Sequence, residues 1–186
     1  TDVKMLAYYL PQFHTFKEND EWWGKGFTEW TNTSASVPLF DGHYQPRTPH
    51  RDFGYYDLSN INTKKKQAVL AKQHGIYDFC FYYYWFSGKR LMEKPVDLLL
   101  DHKDIDIPFC LCWANHSWSN KTWKNGMSRK EANTMIAEQK YMGVEDYTMH
   151  FNALLPAFKD KRYMTVDGKL LFIVWDPNVP QMKENH

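Results

Sequence analysis

The chain has 186 residues, with Lys+Arg 23 against Asp+Glu 22 and a net charge of +1. That length buries a real core in a single domain, residues 1–186, and the balanced charge excludes the basic surface that nucleic acid requires. Aromatic residues make up 17% of the chain, more than a core of this size needs, so a share of the rings is expected at a binding surface.

The first predicted strand is Lys4–Leu10. Its near-continuous apolar character suits a parallel strand covered on both faces. A long irregular stretch follows over residues 11–60, and a loop of that length in a compact domain is usually functional. Its opening is the densest part of the chain. Gln12, His14, Glu18, Asp20, Glu21 and Glu29 alternate there with Phe13, Trp22, Trp23, Phe27 and Trp30. Flat rings beside hydrogen-bonding side chains suit a sugar, whose C–H face stacks while its hydroxyls take the polar groups.

A helix is predicted from Asn62 or Thr63 to His74, capped by one of those two residues and closed by Gly75. Lys64, Lys65 and Lys66 are expected on its solvated face. Ile76–Phe86 reads as the second strand, residues 95–102 as a short helix with Pro95 in its first turn, and Pro108–Trp113 as the third strand. A second excursion, Asn115–Asn125, holds Trp118 and Trp123. Helices are predicted at Arg129–Lys140 and Val144–Phe158, and a fourth strand at Lys169–Trp175. The tail, residues 176–186, is expected to fray. Strands alternating with helical crossovers argue an α/β fold with a parallel sheet.

Each predicted strand is apolar in its body and turns aromatic and polar at its end. The endings are Gln12, Phe13, His14; then Tyr83, Tyr84, Trp85, Phe86; then Trp113, Ala114, Asn115, His116; then Trp175, Asp176. In parallel α/β folds such ends share one face, and ligands bind there. No Gly-rich phosphate loop follows the first strand, and no His-Glu-x-x-His motif occurs. The eight histidines are scattered, so neither a metal nor another cofactor is expected. Glycoside chemistry usually takes two carboxylates. The candidates at these ends are Glu18, Glu29 and Asp176, each with a plain structural alternative as a turn, amide or strand-end partner. Cys80, Cys110 and Cys112 lie in apolar runs; an odd, buried set points to core residues in a reducing, cytoplasmic compartment. The longest apolar run, Phe79–Phe86, is far short of the ~18 residues a membrane helix needs. Thr1 in place of Met leaves a processed chain or a fragment open.

The segments Tyr8-Tyr9-Leu10-Pro11-Gln12-Phe13-His14 and Glu18–Asn32 resemble the WbsX-type family of glycosyltransferases. So do Gly42–Pro46, Tyr84-Trp85-Phe86, Gly88–Leu91 and Pro108–Asn115. The resemblance runs over most of the chain to about Trp123 and is weaker beyond it. It implies a domain similar to the endo-α-mannosidases of glycoside hydrolase family ninety-nine, which are TIM barrels, and a role in bacterial polysaccharide or lipopolysaccharide metabolism. Two positions depart from the family pattern: Tyr83 where it has His, and His116 where it has Glu. The later Asn-Glu-Trp-Ala-Glu-Gly stretch, which would carry the catalytic carboxylates, has no counterpart here. Four strands are found where a TIM barrel has eight over about 250 residues. The chain thus resembles the first four βα units of a barrel, a half barrel, whose partner would be its own C-terminal half or a second copy.

These readings together assign roles. Trp22, Trp23, Trp30, Trp85 and Trp113 are expected to stack on sugar faces. Gln12, His14, Glu29, Asn115 and His116 are expected to bond hydroxyls, with Lys89 or Arg90 meeting an acidic sugar or phosphate. Tyr8, Tyr84, Trp175 and Asp176 complete the expected binding face, and Glu29 is the one catalytic candidate. A glycosyltransferase, a glycoside hydrolase, a silent glycan-binding module and a structural fragment without ligand all remain open at this point.

Overall fold

The computed structural model describes residues 3–119, 134–179 and 182. The chain begins with β1 (Met5–Tyr9) and then enters the long predicted loop, which holds two helices that the sequence pattern did not reveal. These are α1 (Lys17–Trp23) and α2 (Glu29–Ser34). Both are too short to show an amphipathic period. Local bonds make them instead. The Asp20 carboxylate accepts from Gly26 N at 2.8 Å. At α2, Thr28 Oγ1 accepts from Trp30 N at 3.2 Å, while Thr28 N donates to Thr31 Oγ1 at 3.1 Å, a reciprocal cap.

The crossover helix α3 (Ile61–Gln73) follows, capped by Asn60 rather than by Asn62 or Thr63: Asn60 Oδ1 accepts from Asn62 N at 2.9 Å. Next come β2 (Ile76–Phe86) and β3 (Lys89–Leu91), a hairpin joined by Ser87 and Gly88, both at positive φ, as a tight two-residue turn demands. Helix α4 (Lys94–Asp101) leads to β4 (Phe109–Trp113). Beyond it, β5 (Trp118–Ser119) pairs with β6 (Met135–Ala137). The predicted helix at Arg129–Lys140 is corrected here: residues 134–140 carry a strand, and 129–133, like Trp123, lie outside the described residues. Helix α5 (Val144–Phe158) has the predicted bounds. The predicted fourth strand is split. A small hairpin, β7 (Thr165–Val166) with β8 (Lys169–Leu170), precedes β9 (Phe172–Val174).

The strands β1, β2, β4 and β9 lie side by side in that order, all parallel. Because side chains alternate, the register defines two faces. One carries Tyr9, Phe81, Tyr83, Trp85, Phe109, Leu111, Trp113 and Phe172, and the helices pack on it. Tyr9 Oη donates to Gln67 of α3 at 2.6 Å. His150 of α5 stacks on Tyr83 and Trp85 at 5.5 and 4.9 Å and meets Trp113 edge-on at 4.7 Å. Burial pushes the His150 pKa down to about 4, so it is neutral in this aromatic slot. The other face carries Tyr8, Asp78, Cys80, Tyr82, Cys110, Cys112 and Trp175. All three cysteines are free and buried. Strands β1 and β9 are the open edges of the sheet.

The lysine run is also corrected. Lys64 is only 2% exposed. Its Nζ sits over the rings of Tyr9 and Phe81 at 4.8 and 5.0 Å. Helical spacing turns it inward, away from Lys65, which pairs with Asp104 at 2.6 Å at the surface. Desolvation draws the Lys64 pKa down from 10.5 to about 7. A depressed lysine pKa means that the unfolded chain holds more protons between about pH 7 and 10.5, so stability rises with pH across that window. Lys64→Met is expected to abolish this slope. Between pH 7 and 9 the difference between wild type and variant should change on the order of 2 kcal/mol, read by urea unfolding; parallel curves would refute the assignment.

Candidate functional site

The C-terminal ends of β1, β2 and β4 point to the same side, because parallel strands must. The connections that leave them enclose a cavity of about 250 Å³. From the β1 connection come Gln12, Asn19, Trp22, Trp23, Phe27 and Glu29. Met92 follows the β2–β3 hairpin, and His116, Ser117, Trp118 and Ser119 follow β4. A small apolar cluster of Tyr84, Phe86, Leu91, Met92 and Ala114 lies beneath, with Trp22 and Trp118 packed against it. Trp118 meets Trp22, Tyr84 and Phe86 edge-on at 6.0, 4.9 and 5.3 Å. That contact joins the β1 and β4 connections into one wall.

Glu29 opens helix α2 and lines the cavity. A first-turn position normally favours the charged carboxylate. Here desolvation wins and pushes the pKa up to about 7, with no cation or hydrogen-bond donor among the described residues offsetting it. Tyr84 Oη, buried below, accepts from Gln12 Nε2 at 3.4 Å. His116 is exposed at the rim, and partial desolvation lowers its pKa. Among the described residues no group of three His, Cys, Asp or Glu side chains is placed to hold a metal.

Of the residues predicted from sequence, Gln12, Trp22, Trp23, Glu29 and His116 therefore meet in one cavity. Tyr8 and Trp175 form a second group on the inner sheet face, 56% and 52% exposed, and both pack on Tyr82 at 5.3 and 5.6 Å. Most of the remaining predicted positions are buried or paired within the fold. Trp85 and Trp113 are each 4% exposed on the helix-packed face. Trp85 Nε1 donates to the Asp146 carboxylate at 3.0 Å. Strand alternation sends these two rings into the core, whereas Tyr84 between Trp85 and Tyr83 faces the cavity side. Trp30 is folded back into the loop: its Nε1 donates to Tyr56 O at 2.8 Å, and its ring packs on Phe13, Tyr55 and Tyr56. His14 is buried, with Nδ1 at 2.7 Å from Pro11 O, where it holds the turn after β1. Lys89 pairs with Glu18 at 2.6 Å, and Arg90 with Asp97 at 2.7 Å. Those pairs fasten α1 and α4 to the hairpin.

Asn115 is likewise structural. Its Nδ2 donates to Asp176 O at 2.8 Å and its Oδ1 accepts from Asp176 N at 2.9 Å, so one amide joins the ends of β4 and β9. Tyr141 Oη donates to Asn115 O at 2.6 Å. The start of the predicted frayed tail is thus held, while residues 180–181 and 183–186 lie outside the described residues. The Asp176 carboxylate accepts from Asn178 N at 2.9 Å in a local turn. Sequence reasoning missed Trp118, Asn19 and Met92 as lining residues. The excursion containing Trp118 was the available signal: a Trp two residues beyond a strand-end His.

With this geometry in view, comparison with known proteins is decisive. The family described as Glycosyltransferase WbsX matches residues 5–185. The chain belongs to this family. The protein WxcX of Xanthomonas campestris pv. campestris is 40% identical over 176 residues, in both strain B100 and strain ATCC 33913; it carries the description uncharacterized. That alignment covers 94% of this chain and 24% of the relative, so the chain spans about a quarter of the length of the curated relatives it matches. The GH99 endo-alpha-mannosidase from Bacteroides thetaiotaomicron superposes with a TM-score of 0.50 at 12% identity, over 95% of this chain and 42% of that one. The shared feature is the fold: a parallel α/β sheet that matches part of a TIM-barrel enzyme.

Two outcomes are expected. The Glu29 carboxyl should titrate near pH 7 by carbon-13 NMR. Because its folded pKa is raised, it stabilises below about pH 4.5 and that contribution fades as pH rises through 7, so Glu29→Gln should gain on wild type over that range. A midpoint near 4.5 would refute the buried, unpaired placement. Asn115→Ala should cost about 3 kcal/mol by leaving the Asp176 backbone groups unpaired, measured by urea unfolding.

Proposed function

We propose that the cavity above β1, β2 and β4 is a glycan site, and that the chain forms the sugar-binding wall of a domain that makes or cleaves glycosidic bonds in bacterial polysaccharide metabolism. The observation that carries this reading is the combination in one cavity of half-buried Trp22, Trp23 and Trp118 with Gln12, Glu29, His116 and Ser117. Rings offer stacking faces, and the polar groups offer donors and acceptors for hydroxyls. Family membership and the partial likeness to a TIM-barrel mannosidase support a carbohydrate-active role.

Glu29 is the one carboxyl among the described lining residues. A carboxyl poised near pH 7 gives up or takes a proton readily at neutral pH, as general acid or general base. Glycoside chemistry usually takes a second carboxyl about 5 Å or about 6.5–9.5 Å away. That group would come from the rest of a barrel, which pairs on the open edges of β1 and β9, or from a second copy. No helix of the described residues is long and apolar enough to cross a membrane. Three buried, unpaired thiols support a cytoplasmic setting.

A second reading has its own support. With His116 where the family pattern has a carboxylate, and one carboxyl in the cavity, the chain by itself binds glycans without turning them over. A panel of activated mannosides and related glycosides separates the two. Turnover by the chain that falls at least a hundredfold in Glu29→Gln supports catalysis here; binding without turnover supports the silent module. In either case Trp22→Ala and Trp118→Ala should each weaken glycan binding about tenfold, while Trp85→Phe should lower stability and leave affinity unchanged. Unchanged affinity in both cavity variants would remove the site.

A further inference from the structure

The cavity contains a carboxyl that no cation among the described residues neutralises. Among the described residues Glu29 meets no cation and no hydrogen-bond donor, and desolvation raises its pKa. Three basic side chains of the same connections have acidic partners: Lys89 with Glu18, Arg90 with Asp97, and Lys17 with Glu21. Among the described lining residues there is no lysine or arginine. Beside the carboxyl stand the rings of Trp22 and Trp118, set edge to face at 6.0 Å. Indole faces carry negative electrostatic potential and attract cations.

Such a wall discriminates between sugars by charge. A uronate or phosphate would meet the carboxylate and the ring faces, both repulsive, with no arginine or lysine among the described lining residues to receive it. A neutral sugar would stack, and its hydroxyls would satisfy the carboxyl by hydrogen bonds alone. An ammonium group would gain from both the carboxylate and the rings, in a partly desolvated cavity where such attraction is least screened. We propose that this cavity selects a glycan residue bearing a free amine, with the ammonium seated between the Glu29 carboxylate and the ring faces of Trp22 and Trp118. The proposal rests on the glycan reading of the cavity and names the sugar class it takes. It reverses the sequence-based expectation of an acidic sugar or phosphate held by Lys89 or Arg90.

The test uses the full chain with the methyl glycosides of glucosamine, galactosamine and mannosamine, their N-acetyl forms, methyl mannoside and methyl glucuronide. Affinity is read by calorimetry and by tryptophan fluorescence at pH 7 and moderate salt. At least one amine is expected to bind about tenfold more tightly than its N-acetyl form, with the glucuronide weakest. Glu29→Gln is expected to remove the preference of the amine over its N-acetyl form, with an intact thermal transition. If that variant does not fold, the wild-type comparison of amine with N-acetyl form decides alone. Equal affinity of all amines and their N-acetyl forms, a preference that persists in Glu29→Gln, or tightest binding of the glucuronide each overturns the proposal while leaving a glycan site in place. Binding of none of these sugars overturns both.

Discussion

The alternation of side chains along a strand decides what each aromatic residue in this protein does. Along β2, Tyr83 and Trp85 point to the helices while Tyr82 and Tyr84 point to the opposite face. One residue of register separates a ring locked against His150 from a ring under the cavity. The parallel ladder transmits the choice to β4, where Trp113 joins the core beside Tyr83. The wall of the cavity is therefore built from connections, with Trp22 and Trp118 resting on a small apolar cluster that the strand ends supply.

Polar groups tie the arrangement together where rings cannot. Asn115 joins the ends of β4 and β9 through both faces of its amide, which lets two chain segments 61 residues apart leave the sheet together. His14 holds the turn that sends the β1 connection over the sheet, and the Glu18–Lys89 pair fastens that connection to the β2–β3 hairpin. A charge with a partner has a depressed carboxyl pKa, as at Glu18; a carboxyl without one is raised, as at Glu29. The contrast between these two residues of one connection leaves Glu29 as a carboxyl without a charge partner among the described residues.

Among the described strands β1 and β9 stand at the edges of the sheet, and Tyr8 and Trp175 are exposed on the face away from the helices. The chain matches 42% of a GH99 chain and 24% of the curated relatives.

The four parallel strands and α5 were legible because long apolar runs and a regular helical period survive without context. Family motifs were legible because they are local in sequence. The short α1 and α2 were not, since single capping bonds create them. The residue types of the candidate site were written in the sequence: Gln12 and His116 follow strand ends, and Trp22, Trp23 and Glu29 lie in the aromatic stretch after the first strand. Which of the predicted rings and amides reach the cavity and which are buried was decided only by the tertiary structure. Burial of Trp85, Trp113, His14 and Asn115, the inward turn of Lys64 and the isolation of Glu29 all depend on what packs against a side chain, and that is set by residues distant in sequence.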